Sequence, residues 1–164
     1  MLFDKEFEFK GKHADYCRFL KDEIGLFKTF REAYTTSAII GFINNKTAQK
    51  ETGTKLQLAS ILPSELAQKR ASLTFIYRLI MLLDKKEGFT LKDYQDRTFR
   101  YDAETDEHPE KLAENMELFN SYALGGIELL YDRFKDCHEK KDTVNTLYDF
   151  LYEFYEDNGF IECE

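Results

Sequence analysis

Leu73-Thr74-Phe75-Ile76-Tyr77-Arg78-Leu79-Ile80-Met81-Leu82-Leu83 is the longest apolar run of the chain, and Arg78 is its one charge. At 3.6 residues per turn, Leu73, Ile76, Ile80 and Leu83 share one face. Phe75, Leu79 and Leu82 cover a second face, and Tyr77 with Met81 a third. A helix that is apolar nearly all round demands burial on most sides, so the pattern predicts the central post of a helical domain. With eleven residues the run is too short to cross a bilayer, which takes about 20.

Working outward, Pro63 closes an extended segment through Leu56, Leu58 and Ala59 to Ile61, and Ser64 is placed to cap the helix that runs to about Lys85. A break is expected near Ala71-Ser72. Upstream, Glu6-Phe7-Glu8-Phe9-Lys10 alternates polar and apolar before Gly11, a short-strand signal. Helices are expected over Lys12–Ile24 and Arg31–Ile43, the second stopping at Asn44-Asn45. The polar stretch Asn44–Thr54 has the composition of an exposed loop.

Downstream, Thr90-Leu91-Lys92-Asp93 has the form of a capping box, with Asp93 in the place of the usual Glu. The short helix it opens would bury Leu91, Tyr94 and Phe99. Asp102–Glu107 is an acidic loop. Pro109 suits a first helical turn, where its missing N–H is not needed. Beyond it Leu112, Met116, Phe119, Ala123, Ile127, Leu130 and Phe134 form the cleanest helical stripe in the chain. Gly125-Gly126 lies inside that stripe at a cost of about 1 kcal/mol per glycine, which points to a close helix crossing at Gly126, the rarer alternative being a break that exposes backbone amides to a ligand. Asp142 is placed to cap the last helix, which ends by Asn158-Gly159 and carries Leu147, Leu151 and Phe154 beside a row of Tyr148, Tyr152 and Tyr155.

The expected fold is therefore mainly α, a single compact helical domain over residues 1–164, with five or six helices and at most two or three short strands. The net charge of −8 argues against wholesale nucleic-acid binding, which depends on basic side chains neutralising phosphates. Cys17, Cys137 and Cys163 are scattered, and Met1-Leu2-Phe3-Asp4-Lys5-Glu6 lacks the blocks of a signal peptide. No run spans a membrane. A reduced, cytoplasmic protein is the expectation.

Signals for chemistry are weak. His13, His108 and His138 form no His-x-x-x-His or Cys-x-x-Cys unit, and Cys137 and His138, being adjacent, diverge on a helix. Asp102-x-Glu104-x-Asp106 has calcium-loop spacing without the central glycine or the closing glutamate. Asn45-Lys46-Thr47 and Gly53-Thr54-Lys55 lack the glycines of a phosphate loop, and no Gly-x-Ser-x-Gly is present. No catalytic residue, metal or cofactor is expected. Two binding candidates stand out. Tyr148, Tyr152 and Tyr155, beside Asp149, Glu153 and Glu156, make an aromatic and acidic face that suits either a protein partner or a cover for the domain's own core. Lys46, Lys50, Lys55, Lys69 and Arg70 cluster mid-chain and form the patch that a nucleic-acid contact would use.

Two stretches carry a resemblance. Phe27-Lys-Thr-Phe-Arg-Glu-Ala-Tyr-Thr-Thr-Ser-Ala-Ile-Ile-Gly-Phe42 is similar to the first conserved helix of the small accessory proteins associated with Dnd systems, which place phosphorothioates in bacterial DNA within phage-defence islands. Leu118-Phe119-Asn120-Ser121-Tyr122-Ala123-Leu124-Gly125-Gly126-Ile127-Glu128-Leu129-Leu130 resembles that family's Tyr-Ala-x-Gly-Gly-apolar-Glu segment, with Tyr122, Ala123, Gly125, Gly126 and Glu128 at the matching positions. The resemblance covers about Phe27 to Phe154, leaves residues 1–26 as an N-terminal extension, and differs in the Lys46–Lys55 loop. It implies an anti-phage context with no established catalytic residue. The expected function is that of a non-catalytic adaptor acting by protein association, the alternative a nucleic-acid sensor on the Lys46–Arg70 patch.

Overall fold

The computed structural model describes residues 2–53, 56–101 and 108–157. Its elements in order are β1 (Phe7–Lys10), α1 (Lys12–Arg18), α2 (Phe30–Ile43), β2 (Leu58–Ile61), α3 (Pro63–Gln68), α4 (Arg70–Leu83), α5 (Leu91–Gln95), α6 (Pro109–Phe134) and α7 (Lys140–Asp157). Single π-helical turns extend α1 over Phe19–Glu23 and α5 over Asp96–Arg100. The fold is mainly α, as the periodicity predicts. The helix expected from Ser64 to Lys85 is divided between α3 and α4 at Lys69 rather than at Ala71-Ser72, which brings the α-helices among the described residues to seven.

The central element is α6, not α4. Its periodic stripe buries Phe119, Ala123, Ile127, Leu130 and Phe134, and α2 packs along it in the most extensive helix contact among the described residues. On α4 only Leu73, Tyr77, Ile80 and Met81 are buried, while Phe75, Leu79, Leu82 and Leu83 are exposed. The expectation of a post buried on most sides is thus corrected. Apolarity sets how much of a helix needs cover, and here the chain itself covers one side of α4.

The strands pair antiparallel, Phe7 opposite Ile61 and Phe9 opposite Ala59. They place Phe7 and Phe9 against Tyr34 of α2, and Tyr34 in turn lies 5.5 Å, centroid to centroid, from Phe119 of α6. Phe3 completes the aromatic centre edge-on to both Tyr77 and Phe119. The segment before Phe27 is therefore built into the core, and Tyr16 stacks on Tyr131 of α6 at 3.8 Å.

Local signals fare unevenly. Thr90 and Asp93 form the reciprocal capping box that opens α5. Leu91 and Phe99 are nevertheless exposed and only Tyr94 is partly covered, so the expected burial of all three is corrected. Helix α3 starts at Pro63 rather than after Ser64, and the Glu65 carboxylate accepts from the Leu62 N–H. Asp142 lies inside α7, reaching back to accept from the Glu139 N–H, which is the return half of a capping box. The expected acidic loop Asp102–Glu107 and the expected end of the last helix at Asn158-Gly159 lie outside the described residues.

Candidate functional site

The segment Tyr122–Glu128 is where four parts of the chain meet. Gly126 carries no side chain because the Ser37 carbonyl of α2 occupies the place a Cβ would take. One turn along α2, Gly41 meets the Tyr122 carbonyl in the same way, so the two helices touch backbone to backbone. Gly125 faces a different neighbour. The Lys46 carbonyl and Thr47 Cα lie where its Cβ would stand, and the Ala48 N–H donates to the Ser121 carbonyl of α6 at 2.9 Å. The loop is exposed over most of Asn44–Gly53, as its composition predicts, and touches α6 at Lys46–Ala48. Ala123 is fully buried at the same crossing.

Glu128 closes this junction. Its Oε1 accepts from Lys12 Nζ at 2.8 Å and from His13 Nε2 at 3.1 Å, and its Oε2 stands 3.4 Å from Lys46 Nζ. Burial alone would raise the Glu128 pKa, but the hydrogen bonds and charges of Lys12 and His13 hold it below its ordinary value. His13 is fully buried, and that burial lowers its pKa against the opposing pull of Glu128. At neutral pH it is an uncharged imidazole donating through Nε2. Lys12 is raised by the hydrogen bond it donates to Glu128 and by the charge of that carboxylate.

A second polar node sits at the other end of the segment. Tyr122 Oη donates to Asp84 Oδ1 at 2.5 Å, and Arg97 Nη2 donates to Asp84 Oδ2 at 3.0 Å. Arg97 is buried, with Nη1 on the Asp84 carbonyl at 3.2 Å and Nε on Asn115 Oδ1 at 3.3 Å. Burial and the Asp84 hydrogen bond push the Tyr122 hydroxyl up to about 12. This node fastens the C-terminus of α4 and the turn after α5 to α6. Spacing in the sequence gives no sign of it, because Asp84, Arg97 and Tyr122 come from three separate elements.

The described basic residues of the mid-chain cluster come from the loop after α2 and from the junction of α3 with α4. Lys46 belongs to the Glu128 junction, Lys50 lies 5.4 Å from the Phe7 ring centre beside Lys10, and Lys69 and Arg70 sit at the start of α4. Lys55 lies outside the described residues. Cys17 and Cys137 are buried free thiols, and burial pushes Cys17 up to about 12. Cys163 also lies outside the described residues. Among the described residues no three His, Cys, Asp or Glu side chains come together as metal ligands, and no helix is long and apolar enough to cross a membrane.

Two helix faces are left uncovered among the described residues. On α4, Phe75, Leu79 and Leu82 join Phe99 to line an apolar groove of about 640 Å³, rimmed by Arg70, Thr74 and Arg78. Phe75 is 67% exposed, and Arg78 holds its guanidinium 5.6 Å from the Phe99 ring centre. On α7, Val144, Tyr148, Leu151, Tyr152 and Tyr155 are exposed, with Tyr148 and Tyr152 stacked at 6.2 Å. Leu147 and Phe154 are half-buried, and Arg133 of α6 donates to Glu153 at 2.7 Å. Glu156 is exposed on the same helix. The sequence pattern singles out the α7 tyrosines but not the α4 groove. Its signal is the all-round apolarity of α4, which reads as demand for internal cover alone.

Comparison of the chain with protein-family models, curated proteins and solved structures gives no match. Function is argued from the geometry.

Proposed function

We propose that this protein is an accessory or adaptor subunit that acts by protein–protein association, without chemistry of its own, through the uncovered faces of α4 and α7. The observation that carries this reading is the α4 groove, where three large apolar side chains of α4 and Phe99 from the turn after α5 are exposed together. Single exposed apolar residues are ordinary, whereas a contiguous patch rimmed by charge is the mark of an interaction surface. The α7 tyrosines add rings of the kind that anchor interfaces. By contrast, the polar groups of Tyr122–Glu128 are engaged in joining α1, α2, α4 and the Asn44–Gly53 loop to α6. We read that segment as architecture. The resemblance of Phe27–Phe42 and Leu118–Leu130 to the Dnd-associated proteins sets the association in bacterial anti-phage defence, and that context rests on those two stretches alone.

The test is an affinity pull-down of the tagged protein from its native cells, with and without nuclease, run beside the Phe75→Ser/Leu79→Ser variant. The reading predicts a protein partner kept after nuclease treatment and lost with the variant. Recovery of DNA alone, abolished by nuclease, would overturn it in favour of a nucleic-acid sensor on Lys46, Lys50, Lys55, Lys69 and Arg70.

A further inference from the structure

The aromatic centre of the fold opens on one side into a half-open cavity of about 530 Å³, within the range of ~300–1,000 Å³ that small-molecule sites occupy. Phe3, Phe7, Tyr34 and Leu66, all buried, line it together with Leu112 and Met116 of α6. Four parts of the chain thus meet around it: the residues before and at the start of β1, then α2, α3 and α6. Tyr101 and His108 add two half-buried rings, set edge to face at 5.1 Å. Water is poorly held against apolar and aromatic walls, so an occupant with a flat apolar body gains by displacing it.

One polar group of the lining has its orientation fixed. Tyr34 Oη of α2 donates to Asn120 Oδ1 of α6 at 2.6 Å, and both residues line the cavity. Burial raises the Tyr34 pKa, so the hydroxyl stays a donor. That bond assigns the oxygen of the Asn120 amide and leaves Nδ2 as a donor to which the described residues supply no acceptor. Oδ1 keeps a second lone pair. Asn120 therefore presents a donor beside an acceptor, the pairing that reads the edge of adenine with two hydrogen bonds. Among the exposed residues of the lining, Lys5 stands with Asp4 and Glu6, which leaves no excess of positive charge to hold a phosphate. The fit is to an uncharged ligand.

We infer that this cavity binds a small, uncharged aromatic compound whose edge carries a hydrogen-bond acceptor next to a donor, held there by the Asn120 amide. Adenine nucleosides and aromatic carboxamides share that edge. In an adenine, N7 accepts from Asn120 Nδ2 and the N6 amine donates to Oδ1, while the ring system lies among the aromatic side chains of the lining. In a carboxamide, the carbonyl and the amine take the same two places. The inference is independent of the association reading, because none of the cavity residues lies on the uncovered faces of α4 and α7.

Isothermal titration calorimetry of the full chain with adenosine and with nicotinamide tests the inference. Saturable binding of at least one is expected, and the tighter of the two identifies the source of the edge. Purine riboside and methyl nicotinate keep the respective rings and lack the amine donor, so each is expected to bind about tenfold more weakly than its parent. Asn120→Asp keeps an acceptor for Tyr34 and, at about pH 8, offers the ligand no donor. It is expected to raise the dissociation constant by about tenfold or more. Ala113→Trp, at an exposed position of the lining, is expected to fill the cavity and abolish binding while Asn120 stays intact. Circular dichroism and urea unfolding check that both variants keep the fold. Binding of neither compound, equal binding of the analogue without its donor, or binding unmoved by Asn120→Asp or by Ala113→Trp would each overturn the inference.

Discussion

The α2–α6 crossing and the outer face of α4 are both rich in apolar residues, and they are used in opposite ways. At the crossing, Gly41 and Gly126 remove side chains so that backbone meets backbone, leaving no room for one added carbon, and Gly125 does the same beside the Lys46–Thr47 backbone. Along α4, large side chains stand in solvent around an apolar groove. The first region uses its composition to close the domain. The second keeps an apolar surface uncovered, which makes sense when its cover comes from outside the chain. The difference is one of neighbours rather than of hydrophobicity.

The comparison can be broken most severely at the polar node that fastens α4 to α6. Asp84→Ala leaves Arg97 buried without its carboxylate, and loss of one partner of such a pair costs about 3–5 kcal/mol. Urea unfolding should show a loss of that size, and a loss below about 1 kcal/mol would mean the node is dispensable. At the crossing, Gly126→Ala pushes a methyl group into the Ser37 carbonyl, which cannot swing aside as a side-chain tip can. Overpacking of this kind costs about 1–3 kcal/mol. A lower melting temperature is expected, and an unchanged one would deny that the helices touch at that point.

These expectations also mark what is legible in the chain. The helical class follows from periodicity, and the stripe from Leu112 to Phe134 locates the element that proves central. The glycine pair is readable as an anomaly because two glycines inside a strong stripe require compensation. Which segment receives each glycine is not readable: Ser37 and Lys46 lie about 80–90 positions away in sequence, and nothing local to Gly125 or Gly126 points to them. The same holds for His13 and Glu128, 115 positions apart, and for Asp84, Arg97 and Tyr122. The burial of α4 departs from its pattern for a related reason. Periodicity reports how much surface asks to be covered and carries no information on whether the cover comes from the same molecule.

The junction at Glu128 gives the comparison a pH signature. His13 has its pKa lowered in the fold, so the unfolded chain binds its proton more readily. Stability is then full above the ordinary histidine value of 6.5 and falls as pH drops through and below it. Glu128, also lowered, adds a second loss below its ordinary value of 4.5. His13→Gln should remove the first decline and leave the second, as read by chemical unfolding at about pH 7.5, 6, 5 and 4. A wild-type chain whose stability is flat between about pH 7.5 and 5 would contradict the placement of a buried neutral imidazole.

The smallest stability effect is expected where the association reading puts the most weight. Phe75→Ser/Leu79→Ser removes side chains that are already exposed, so unfolding free energy should change by no more than about 0.5 kcal/mol. Loss of several kcal/mol instead would place these residues in the domain's own core and erase the contrast with Gly126.

Hydrogen exchange of the full chain, read by mass spectrometry alone and with the protein partner captured in the pull-down, tests the central claim most directly. Peptides from α4 and α7 are predicted to gain protection in the complex, while those from the α2–α6 crossing stay equally protected in both. Identical exchange of α4 and α7 in both, or protection gained only elsewhere in the chain, would contradict it.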